Sequence, residues 1–195
     1  PVTSLRIYLE TFIRHPLGPE DIRKYSENML ADINRLTENI NRILDLARIE
    51  SQNFGSEVTR DSLVSLVERF CNKNSSLFRE CDIRIENPSK AAFEYPVNLF
   101  LFEMLLMNII SNAIKYNESD QPELRIVFKS FLQKVTIDFM DNGIGVDPKE
   151  ARKIFRKFYQ SGTEGRDKGS GLGLYLVSSI AMIHGWRVSV SSEGK

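Results

Sequence analysis

The sequence predicts an α+β protein: an N-terminal antiparallel helical hairpin, then an α/β sandwich whose mixed sheet is covered by helices on one face. Three observations predict this. Residues 20–50 contain no Gly or Pro and carry apolar residues at helical spacing. Leu124-Arg-Ile-Val-Phe and Val135-Thr-Ile-Asp-Phe alternate as antiparallel strands do. Strands and helices also follow one another without the regular alternation of a parallel α/β fold.

In chain order, Val2 to about Ile13 reads as a first helix, stopped by His15-Pro16-Leu17-Gly18-Pro19. The second helix, Glu20 to Glu50, aligns Ile22, Tyr25, Met29, Ile33, Leu36, Ile40, Ile43 and Ala47 in a heptad-like stripe. It would be roughly 46 Å long. Two such helices cannot enclose a core, so the hairpin reads as half of a four-helix bundle completed in a homodimer. Asp61 to Phe70 is a helix capped by Asp61, and Ile83-Arg-Ile-Glu is a short strand. Asn98 to Tyr116 is a long apolar helix, and the alternating strands after it join through Lys129 to Lys134. Pro148 to Phe155 and Gly171 to His184 are expected as helices, and Arg187 to Ser191 as a closing strand. The expected domains are residues 1–53 and 54–195.

Lys+Arg and Asp+Glu number 26 each, so the chain lacks the basic surface of a nucleic-acid binder. No stretch approaches the ~20 apolar residues of a membrane span. Cys71 and Cys81 make no disulfide framework and have no metal-ligand spacing with His15 and His184. Reducing cytosol is the expected compartment. Pro1 and the Ser-Ser-Glu-Gly-Lys end read as cuts through a longer protein, whose membrane anchors would lie elsewhere.

Polar residues and glycines stand out at three places. Asn108 and Asn112 share a helix face, with Lys115 one turn on. They fit either a buried amide network or a pocket edge, where amide oxygens suit Mg²⁺ and Lys115 meets phosphate. Asp141-Asn-Gly143-Ile-Gly145-Val follows a strand; it is a simple turn, or a loop that admits a flat ligand and offers Asp141 to an exocyclic amine. Gly169-Ser-Gly171-Leu172-Gly173-Leu opens a helix whose N-terminus suits phosphate. Between the last two, Lys149 to Lys168 carries seven Lys/Arg against Glu150, Glu164 and Asp167. That stretch is a solvated face or a cationic lid over polyphosphate.

Taken in order, these segments resemble the catalytic core of the sensor histidine kinases of two-component signalling, with their Bergerat-type ATP-binding domain. Asn108 to Tyr116 resembles the N box, Asp141 to Val146 the G1 box, Phe155-Arg-Lys-Phe-Tyr the F box, and Gly169 to Leu174 the G2 box. Pro1-Val-Thr-Ser-Leu resembles the end of the H box, and Leu44-Asp-Leu-Ala-Arg-Ile-Glu-Ser the exit of the second hairpin helix. The resemblance implies ATP and Mg²⁺ as cofactors. Asp141 would take the adenine amino group, and Gly143 and Gly145 would admit the ring. Asn112 and Asn108 would hold Mg²⁺, while Lys115 and Tyr116 would touch phosphates or ribose. Lys157, Gly169, Gly171, Leu172 and Gly173 would complete the ATP site, with a lid from about Lys157 to Ser170. It also implies a homodimer, a response-regulator receiver domain as partner, and phosphoryl transfer by way of a hairpin histidine.

In the family's His-x-x-x-x-Pro pattern the proline is Pro1, so the acceptor histidine is not in this sequence. The chain is therefore expected to bind nucleotide without phosphorylating itself. Met104, Gln160 and Trp186 depart from common family residues. The alternatives are a non-catalytic dimerisation scaffold, or another ATPase of the superfamily, which would carry a Glu at or near Asn108.

Overall fold

The computed structural model describes residues 2–50, 58–91, 93–132, 134–160 and 170–192. The chain divides into two compact units, residues 1–51 and 52–195.

In the first unit, α1 (Val2–Arg14) and α2 (Pro19–Glu50) form the expected hairpin. Glu20 and Asp21 in the first turn of α2 suit the positive end of its dipole. The helices meet through Tyr8 stacked on Tyr25, with centroids 5.6 Å apart, and Phe12 tilted against Tyr25 at 6.0 Å. No residue of α1 is buried. Ile22, Ile33, Ile40 and Ile43 of the stripe stay 46–53% exposed.

The second unit runs β1 (Val58–Ser62), α3 (Leu63–Lys73), β2 (Asp82–Glu86), β3 (Glu94–Asn98), α4 (Leu99–Lys115), β4 (Glu123–Phe131), β5 (Lys134–Asp141) and α5 (Gly173–Ile183). Its main sheet has the order β2-β4-β5, with β2 parallel and β5 antiparallel to β4. It is therefore mixed, as expected. β1 and β3 pair antiparallel as a separate ribbon. Leu124, Ile126 and Phe128 of β4 are buried at alternate positions. Helix α4 packs on β4, α5 and α3 and buries Leu101, Phe102, Leu105, Leu106, Ile110 and Ala113.

Several local expectations are corrected. The cap of α3 is Ser62, whose hydroxyl accepts from Ser65 N–H; Asp61 instead binds Ser62 N–H and Arg69. Residues 148–155 form successive turns rather than a helix, closed mainly by bonds three residues apart such as Glu150 N–H to Asp147 O. Residues 187–191 belong to no strand among the described residues. The β4–β5 ladder extends to Phe131 opposite Lys134, so the connection is tighter than expected.

His184 has a structural explanation. Its Nε2 accepts from Asn98 N–H at 3.1 Å, and its Nδ1 lies 2.8 Å from Ile180 O. That pair of contacts assigns the proton to Nδ1. The ring stacks on Trp186, which also meets Tyr95 and Phe102 edge-on.

Candidate functional site

Helix α4 presents its polar edge to the start of α5. Asn108 Nδ2 donates to Met104 O at 2.8 Å, which leaves Oδ1 facing α5. A β-carbon on Gly173 would lie 3.0 Å from Asn108 Oδ1 and 3.7 and 3.8 Å from the two amide atoms of Asn112. The missing side chain at 173 is what lets α5 begin against both asparagines. Helix α5 starts at Gly173, and its N-cap residue Leu172 supplies no side-chain cap, so its first N–H groups remain available to an anion. Leu172 itself is buried, so only its backbone can face a ligand.

At the other end of the polar edge, β5 delivers Asp141 into a turn docked on the C-terminus of α4. Asp141 Oδ1 accepts from Gly143 N–H at 2.9 Å, and Ile144 N–H donates to Tyr116 O at 3.0 Å. A β-carbon at 143 would fall 2.6 Å from Tyr116 O and 2.7 Å from Asp141 Oδ1, so the turn closes only on glycine. Gly145 has φ +70°, and the next N–H, of Val146, donates to Ser192 Oγ at 3.1 Å. The Asp141 carboxylate remains exposed.

The third glycine segment meets the Phe-rich one. Phe158 N–H donates to Gly171 O at 3.0 Å. Gly171 has φ +67°, and a β-carbon there would sit 2.7 Å from Phe158 C and Tyr159 O. Lys157 Nζ lies 5.7 Å from the Tyr175 ring and 5.9 Å from the Phe158 ring, placing a cation beside the first turn of α5. Lys115 ends α4, with its Nζ 5.9 Å from the Tyr116 ring. Tyr159 donates to Glu150 Oε1 at 2.7 Å, and that bond raises its phenol above the ordinary value. Gly169 and most of the expected lid lie outside the described residues.

The geometry thus joins Asn108 and Asn112 to Gly173, Tyr116 to Gly143 and Ile144 in the turn after Asp141, and Lys157 to the segment beside Gly171. Sequence reasoning missed Asn142 and Ser192, which anchor the Asp141 turn. A side-chain amide within a glycine turn was the available signal for Asn142; nothing local marks Ser192. Among the described residues no group of three or more His, Cys, Asp or Glu could hold a metal. Asn112 turns its amide toward Gly173, and its oxygen is a hard donor of the kind that supplements phosphates around Mg²⁺.

Residues 1–52 match the His Kinase A (phospho-acceptor) domain. Residues 99–195 match the family described as histidine kinase-, DNA gyrase B-, and HSP90-like ATPase. The chain belongs to the sensor histidine kinases. It is 24% identical over 199 residues to the sensor-like histidine kinase SenX3 of Mycobacterium tuberculosis, covering 99% of this chain and 47% of SenX3. The solved histidine kinase ThkA, in complex with the response regulator protein TrrA, shares the fold at TM-score 0.73 and 18% identity, over 100% of this chain and 55% of ThkA. Full-length ShkA in complex with AMPPNP does so at TM-score 0.71 and 21% identity, over 92% of this chain and 37% of ShkA. This histidine kinase core spans about half the length, or less, of the curated relatives it matches. No helix among its described residues is long and apolar enough to cross a membrane.

Proposed function

We propose that this chain is the ATP-binding and dimerising core of an autokinase. It binds Mg-ATP between the polar edge of α4 and the two glycine turns. Asp141 accepts the exocyclic amine of adenine. The uncapped start of α5, with Lys115 and Lys157, takes the phosphates, and Asn112, with Asn108 beside it, contributes amide oxygen to Mg²⁺. The metal neutralises phosphate charge; the protein's part is to position and to exclude alternatives, as phosphoryl transfer requires. The observation that carries this reading is the abutment of an uncapped helix N-terminus on two asparagines through a single glycine.

The acceptor is a hairpin histidine outside these 195 residues, and the phosphoryl group then passes to an Asp of a response regulator. The exposed isoleucine stripe of α2 supports pairing with a second copy. A cytoplasmic setting follows from the use of ATP. His184 is engaged through both ring nitrogens, so it is unsuited to accept phosphate, and His15 stands at the interhelical break.

Titration calorimetry of the chain with ADP tests the reading. Wild type binds more tightly with Mg²⁺ than without it. Asp141→Ala weakens binding on the order of 100-fold, as loss of a charge-assisted hydrogen bond does. Equal affinity in wild type and variant overturns the site. Steady ATP hydrolysis would transfer the chain to the ATPase branch, and γ-labelled ATP should leave no label on His15 or His184.

A further inference from the structure

The Asp141 turn is held by more than its glycines. Asn142 makes four bonds, two to the loop between α4 and β4 and two to Glu123, the first residue of β4. Its backbone N–H donates to Glu123 O at 3.3 Å, continuing the β4–β5 ladder by one rung. Its side-chain Oδ1 accepts from Glu123 N–H at 2.9 Å and from Asn117 Nδ2 at 2.6 Å, while its Nδ2 donates to Gln121 O at 3.0 Å. Both amide orientations are dictated by backbone partners. Asn117 must turn its oxygen to Ser119 N–H, at 2.8 Å, and Asn142 must turn its nitrogen to the Gln121 carbonyl.

Residues 142 and 144 thus both anchor to the α4–β4 connection, Asn142 through its side chain and Ile144 through its N–H to Tyr116 O. Asp141 and Gly143 lie in the same turn and are fixed by those anchors. The Asp141 carboxylate is exposed and accepts from Gly143 N–H within the turn, so its direction depends on the backbone beneath it. An aspartate that reads one exocyclic amine must be aimed closely, because hydrogen bonds weaken steeply when bent.

We propose that Asn142 is a positioning residue for base recognition: it aims Asp141, and so sets the preference for a 6-amino purine over a 6-oxo purine. The proposal rests on the nucleotide reading above. Hypoxanthine lacks the amine that Asp141 would accept, so the ratio of IDP to ADP dissociation constants isolates the aim of that carboxylate from the hold on the phosphates.

The test measures Mg-ADP and Mg-IDP affinity on the 195-residue chain, with melting midpoints to confirm folding. Wild type favours ADP about 10-fold or more, the value of one well-made hydrogen bond. Asp141→Ala abolishes that preference. Asn142→Ala lowers ADP affinity on the order of 10-fold and leaves IDP affinity within about 2-fold, so the ratio collapses. Asn142→Asp, which keeps the acceptor oxygens, restores part of the ratio. Asn117→Ala removes one bond from an exposed loop and reduces the ratio by about 2- to 3-fold; it serves if Asn142→Ala fails to fold. Equal loss for both nucleotides, or an unchanged ratio, overturns the positioning role while the nucleotide site stands. A wild type with no preference, unaltered by Asp141→Ala, overturns the site and the positioning role together.

Discussion

The hairpin and the α/β unit bury their apolar residues in opposite ways. Helix α1 buries nothing, and four isoleucines of the α2 stripe remain about half exposed. Helices α3, α4 and α5 each bury a full face. Helical periodicity is equally clear in both regions, so periodicity alone does not say whether a face will be covered. A pair of helices has too little surface to enclose its own stripe, whereas a sheet with three helices does. The difference fits the proposed roles, a hairpin finished by a second copy and an α/β unit that holds the nucleotide.

The largest effect should come from charging the uncovered stripe. Ile33→Glu with Ile40→Glu should weaken self-association more than ~1,000-fold, since each buried unpaired carboxylate costs several kcal/mol. Sedimentation equilibrium would show a monomer whose ADP affinity is unchanged; a persistent dimer would mean that the stripe is not the interface. Next, Gly173→Val places branched carbons against Asn108 and Asn112. It should reduce nucleotide affinity on the order of 10- to 100-fold while leaving self-association intact, with packing strain of about 1–3 kcal/mol behind it. Calorimetry and sedimentation on one preparation would separate the two regions.

The smallest effect concerns acid. Arg125 beside Glu86, through bonds of 2.9 and 3.1 Å, holds that carboxyl below its usual range. Arg69 likewise holds Asp61 low. A carboxyl lowered by folding adds stability above its unfolded value and loses it as pH falls through the folded one. Both side chains are on the surface, so salt should weaken the effect. Melting of the α/β unit should therefore steepen below about pH 4, and Glu86→Gln should flatten that limb. An unchanged limb would mean that the β2–β4 pair contributes nothing measurable.

Much of the fold was legible where one residue settles one feature. Asn98 caps α4 through Leu101 N–H, and Tyr116 ends it, close to the expected bounds. The missed strands β1 and β3 are short and polar, and Pro96 within β3 argues against a strand on its own. The ribbon forms because the two segments are brought opposite each other, not because either has strong strand propensity. The turns at 148–155 failed as a helix for a similar reason: the basic, apolar alternation there fits one, yet Ile154 is the buried anchor and i+3 bonds close the backbone.

The same division runs through the site. Which residue types carry the chemistry was decided locally: amides on a helix edge, a carboxylate before glycines, glycines before a helix. A glycine's freedom and an amide's donor set belong to the residue wherever it stands. That Gly173 meets Asn108 and Asn112, that Ser192 reaches Val146, and that Asn142 grips residues 117, 121 and 123 was decided only by folding. Those contacts join segments separated along the chain, and their geometry exists only once the sheet and helices have closed around a common core.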